Sequence, residues 1–170
     1  GVDERAIASA AESIRGMCAV GDHVMICDPA GAWESFVTFD AQGIRVSSSE
    51  WRYYSRSYVW NANRRRVYHF RDDTSPNDLL YTEIASDGTV GTTKDSPFHG
   101  EITIQPPIRI SPSGDIVLLG DGKFYNADTL AQNNELPNAL LDAAWLGTRL
   151  VPMRDTVDGA QLQRWGGSNY

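Results

Sequence analysis

Chemistry near neutral pH needs a titratable or nucleophilic group held beside a partner, and this chain offers few residues at such spacings. Its three histidines are His23, His69 and His99, and none stands at metal-ligand distance in sequence from another histidine, a cysteine or a carboxylate pair. His23 falls in an expected turn, His69 in an expected strand and His99 in a Pro-Phe-His-Gly loop. No nucleophile elbow, phosphate-binding loop or dinucleotide fingerprint occurs. Asp115, Asp121 and Asp128 lie beside turns, where aspartates bond their own backbone, and Asp72 and Asp73 open a long loop. Calcium would need a run such as Asp-x-Asp-x-Asp-Gly, which is lacking. The expectation is a chain that is not an enzyme, with no cofactor and no metal.

One stretch does carry binding chemistry. Arg52, Arg56, Arg64, Arg65, Arg66 and Arg71 crowd together in an otherwise acidic chain, interleaved with Trp51, Tyr53, Tyr54, Tyr58 and Trp60. Arginine and aromatic side chains bury large areas for little lost entropy, which is why they dominate binding hot spots. The same composition also guards an edge strand or neutralises a protein's own carboxylates. Arg52, Arg56, Trp60, Arg64, Arg65 and Arg66 are the candidate binding residues, for a protein or a glycan. A net charge of -7 argues against nucleic acid or an anionic membrane surface, because both call for a basic field. No apolar run approaches the roughly 20 residues that span a bilayer, and the chain start carries no signal-peptide pattern. The compartment is left open, with an extracytoplasmic or cell-surface setting favoured.

Cys18 and Cys27 bracket a hairpin. If Asp22 and His23 are its two turn residues, the cysteines face each other at a non-hydrogen-bonded pair, close enough for a disulfide. Two buried thiols in a reducing compartment are the alternative.

The elements that must position these groups are strands. Asp3 to Arg15 reads as a short helix on its alanines and on Ile7 and Ile14, so that 1–16 is a helical cap or linker. From residue 17 onward, β-branched and aromatic runs alternate with Gly, Asp, Asn, Ser and Pro. Phe39, Ile84, Tyr125 and Trp165 each precede a polar turn, and they recur about 40–45 residues apart, the spacing of four-stranded units. A second series of turns recurs at Gly21-Asp22, Ala62-Asn63, Ser113-Gly114 and Leu146-Gly147. Four units follow, over 17–50, 57–95, 106–137 and 142–170, and the last lacks an outer strand.

The run Ile110-Ser-Pro-Ser-Gly-Asp-Ile-Val-Leu118 and the run Tyr125-Asn-Ala-Asp-Thr-Leu130 resemble repeats of the β-propeller superfamily, in particular bacterial propellers similar to the WD40 and YVTN groups. The Gly-His and Trp-Asp pairs of a true WD40 blade are absent, as is a complete Asp-box. The resemblance implies an all-β, propeller-like array of four-stranded antiparallel meanders that presents loops to a protein or glycan partner. The alternative fold is an antiparallel β-sandwich. Alternative roles are a fragment or subunit of a larger propeller enzyme, or a structural repeat of a surface protein. Four blades are the lower limit for a ring, so a homodimer completing the ring is a further expectation.

Overall fold

The computed structural model describes residues 14–55, 57–71, 74–103 and 105–165. All regular elements in it are strands, fifteen in number: β1 (Gly16–Val20), β2 (His23–Asp28), β3 (Ser35–Phe39), β4 (Arg45–Glu50), β5 (Tyr58–Asn61), β6 (Arg66–Arg71), β7 (Asp78–Ile84), β8 (Val90–Asp95), β9 (Ile108–Ile110), β10 (Ile116–Leu119), β11 (Lys123–Asn126), β12 (Gln132–Glu135), β13 (Asp142–Leu146), β14 (Arg149–Thr156) and β15 (Gly159–Leu162). They form three four-stranded sheets and one three-stranded sheet. Every sheet is an up-and-down meander of consecutive antiparallel strands, as the two turn series require. The expected N-terminal helix falls on residues outside those described, apart from Ile14 and Arg15, which are not helical.

Alternation along the strands supplies the glue between sheets. Val20, Met25, Cys27 and Phe36 of the first sheet meet Val67, Ile84 and Val90 of the second. Tyr68, Phe70, Leu79 and Tyr81 of the second meet Ile108, Val117, Leu119 and Tyr125 of the third. Leu118 and Phe124 of the third meet Ala143 and Leu150 of the fourth, with Leu136 and Leu140 of the crossover between them. Period-two patterning gives each central strand two apolar faces, one for each neighbouring sheet. The sheets thus stack in chain order, an arrangement compatible with propeller blades. No sheet pairs strands from opposite ends of the chain, so the described residues do not close a ring.

Three local details depart from the sequence reading. The first hairpin turns at Gly21-Asp22, because Gly21 takes φ 68°, a conformation glycine adopts without penalty. That register pairs Cys18 with Met25 and Gly16 with Cys27, and of the two alternatives for this pair the structure has the free thiols. In the fourth sheet the third strand is Gly159–Leu162, and Trp165 lies beyond it, bridged to Leu150.

Candidate functional site

In a meander, the first and third hairpin turns lie at one end of the sheet, while the middle loop and the exit crossover lie at the other. The candidate binding residues divide between these two ends. Arg64 and Arg65 sit on the β5–β6 turn and Arg66 opens β6, all at the turn end. Arg52 sits in the β4–β5 crossover, at the loop end. Arg56 lies outside the described residues.

At the turn end the arginines are committed to the protein itself. Arg64 reaches from the second sheet to the third, with Nε and Nη2 each 3.0 Å from the carboxylate of Asp128 and Nη2 2.7 Å from Asp115. Arg66 donates to Asp128 at 2.7 Å and lies 4.1 Å from the ring centroid of Tyr81. Hydrogen bonding to Arg64, and then to Arg66, lowers the Asp128 pKa to about 2. Asn61 donates to the Gly114 carbonyl, Asn63 to that of Ser113, and the Tyr68 hydroxyl to that of Ala127. Arg65 donates to the carbonyls of Ile84 and Ala85 and stacks on Trp60 at 5.5 Å. This cluster clamps sheets together.

The loop end is built differently. The β2–β3 loop and the start of the β4–β5 crossover pair irregularly, with Trp51 N–H donating to Ala32 O, Arg52 N–H to Glu34 O and Tyr53 N–H to Trp33 O. Trp33, Glu34, Trp51 and Tyr53 all adopt φ between 54° and 64°. Each non-glycine residue in that left-handed region costs on the order of 1 kcal/mol, and such strain concentrates at functional sites. Its product is a surface cluster: the Trp33 ring lies 6.3 Å from Trp51 and 6.2 Å from Tyr53, and both tryptophans are 57% exposed. Arg52, by contrast, turns inward to Ser49, Thr93 and the Gly91 carbonyl.

A charged network borders the aromatic cluster. Arg71 lies 5.3 Å from the Tyr53 ring centroid and pairs with Asp95 at 2.6 Å and with the buried Asp78 at 3.6 Å. His99 Nδ1 stands 3.0 Å from Asp78. Burial raises the Asp78 pKa against the opposing pull of hydrogen bonds from Ser96 and His99. Asp78, Asp95 and His99 bring three ligand atoms within 4.8 Å of one another, and the Arg71 guanidinium already supplies the positive charge there. Asp72 and Asp73 lie outside the described residues.

Beside the cluster sit groups that could act as nucleophile or base, and burial silences each. The Cys27 thiol is pushed up to about 12 by burial and lies 3.6 Å from Glu34, while burial raises Cys18 to about 11. His69 is fully buried between Phe36 and Tyr58, and desolvation lowers it to about 3. At neutral pH the thiols are protonated and the imidazole is neutral, the reverse of an activated pair.

Sequence spacing flagged Trp51 and Tyr53 as part of the aromatic run but missed Trp33, which lies in a different loop. The signal that could have found it is the Gly31-Ala-Trp-Glu34 turn, with an exposed tryptophan where turns are usually polar.

No family model matches the chain, and no curated protein matches it. Among solved structures it is similar to a computationally designed protein, Ika4, at 13% identity and a TM-score of 0.59, over 96% of this chain and 98% of that one. It is also similar to hydrazine synthase of Kuenenia stuttgartiensis, at 14% identity and a TM-score of 0.57, over 85% of this chain but 43% of that one. At such identities the likeness is one of fold. No helix among the described residues is long and apolar enough to cross a membrane.

Proposed function

We propose that the chain is a non-catalytic, propeller-like binding module, and that the Trp33–Trp51–Tyr53 cluster at its loop end binds a glycan. The observation that carries this reading is the pair of tryptophans, each more than half exposed and held in contact by left-handed backbone. Exposing such rings costs apolar hydration, and the strain adds to it, so the arrangement costs folding energy that a ligand can recover. The apolar C–H face of a pyranose fits a fan of tilted rings. The hydroxyls at its rim can meet Arg71, Asp95 and His99, which border Tyr53 and offer both donors and acceptors.

The arginines of the turn end have no part in this reading, since Arg64, Arg65 and Arg66 each bond carboxylates or carbonyls within the chain. Likeness to part of a longer enzyme chain also leaves room for the enzyme-subunit alternative, but the neutral, buried state of Cys27 and His69 favours binding over catalysis.

Screening against an array of neutral and acidic oligosaccharides, followed by calorimetry on any hit, tests the proposal. Binding is expected to fall at least tenfold in both Trp33→Ala and Trp51→Ala, with the cooperative melt retained. Absence of any saccharide binding at millimolar concentration, or equal binding by both variants, overturns it.

A further inference from the structure

The four sheets are not covered alike. In the second and third sheets the middle strands are buried on both faces, over 67–70, 78–82 and 117–119. β14, the middle strand of the fourth sheet, alternates instead: Leu150, Pro152 and Arg154 are buried, Val151 and Met153 are half-buried, and Arg149 and Asp155 are exposed. The register puts Ala144 and Leu146 of β13 and Leu162 of β15 on that same outward face, with Leu146 72% and Leu162 74% exposed. A hollow of about 310 Å³ opens there against Ala144, Val151, Met153 and Leu162. An antiparallel sheet that faces water is ordinarily polar on that side, so an outward face with an apolar centre is one that a partner covers.

The charges around that centre define the partner. Toward the β13–β14 turn stand Arg149 and also Arg164, which the bonds of Gln163 and Trp165 to the Pro152 and Leu150 carbonyls set beside Val151. Toward the β14–β15 turn stand Asp155 and Asp142, the latter also paired with Arg109 at 2.7 Å. A two-fold axis that crosses β14 at Pro152, in the plane between two facing sheets, lays Arg149 of each copy opposite Asp155 of the other and Val151 opposite Met153. From this self-complementary order we infer that the outward face of the fourth sheet is a dimerisation surface, covered by the same face of a second copy. A head-to-tail arrangement, with the fourth sheet set against the first sheet of the next copy, lacks its other half. Ile26, Val37 and Phe39, on the outward face of the first sheet, are already buried. One sheet face is small beside the roughly 800 Å² per partner of a standard interface, so the dimer is weak and forms with concentration. The surface is independent of the aromatic cluster.

Sedimentation equilibrium over a concentration series up to about 1 mM tests it. A reversible equilibrium is expected between one chain of 18.8 kDa and a species of twice that mass. Leu162→Lys, Arg149→Asp and Asp155→Arg all change exposed residues, so each should keep the cooperative melt while weakening the dimer about tenfold or more. An equimolar mixture of Arg149→Asp and Asp155→Arg should regain the association of the parent, because each then offers the charge that the other needs. A single-chain mass throughout the series overturns the surface, as does a dimer indifferent to Leu162→Lys. Association lost in both charge variants and not regained on mixing, or masses that climb beyond two chains, would set this face against a different surface of the next copy and overturn the two-fold pairing.

Discussion

The two ends of the sheets use similar residues for opposite purposes. At the turn end, Arg64 and Arg66 are drawn across to Asp115 and Asp128, and Asn61, Asn63 and Tyr68 bond the neighbouring sheet's carbonyls. Most polar groups there are engaged, and of the turn-end arginines only Arg65 takes a left-handed φ, at 53°. At the loop end, tryptophans face solvent on strained backbone, beside buried Phe36 and His69 and half-buried Tyr58. One end spends its chemistry on cohesion, and the other holds chemistry in reserve. Composition alone cannot distinguish the two, because what matters is whether a partner lies within reach.

The comparison breaks most severely if the packing beside the aromatic cluster is removed. Phe36→Ala should cost about 3–5 kcal/mol, since it empties a fully buried site between Tyr58 and His69. Chemical denaturation checks this, and a loss under 1 kcal/mol would show that the loop end does not rest on that packing. Space is the next constraint. A side chain on Gly120 would bring Cβ within 2.1 Å of the Pro106 carbonyl oxygen, so Gly120→Ala should cost roughly 2–3 kcal/mol by the same assay.

Acid should separate the two ends. His69 has its folded pKa lowered to about 3 by burial, well below an unfolded value near 6.5. The unfolded chain therefore binds the extra proton between those values, and stability falls as pH drops through that window, at up to about 1.4 kcal/mol per unit. Asp128 has its folded pKa lowered to about 2 by Arg64 and Arg66, so its contribution is present above about 4 and is lost only as pH falls toward 2. Melting curves from pH 7 to pH 3 should show the first loss at once, and His69→Gln should flatten it. A profile unchanged by that substitution would remove His69 as its cause.

Asp128→Asn should cost about 1 kcal/mol, because Asp128 is half exposed and solvent screens its pairs. The smallest stability effect belongs to the proposed ligand surface itself, with Trp51→Gly expected within about 1 kcal/mol of the parent. Lost contact with Trp33 is offset there by relief of the left-handed backbone. A large destabilisation would make Trp51 a structural residue and undo the contrast between the ends.

Strand positions were legible because short apolar runs and the turn residues that bound them are local. Val24 to Cys27, Ser35 to Phe39 and Ile116 to Leu119 carry their burial pattern in their own order, and Ser113-Gly114 permits only a reversal. The cysteine register was misread by a shift in the turn position, which the left-handed preference of Gly21 decided. The N-terminal helix lies outside the described residues and adds nothing to either side.

The candidate site was half legible. Arginine and aromatic residues share one stretch of sequence, so they read as one cluster, yet β5 is four residues of extended chain that carry its two halves to opposite ends of a sheet. Sequence by itself determined the meanders, since the hydrogen-bonding and burial preferences of a strand are set by neighbours two residues away. Only the tertiary structure decided which arginines find carboxylates and that Trp33 joins Trp51 and Tyr53. Those outcomes depend on distances between segments remote in the chain, and electrostatic and packing energies are functions of distance in space.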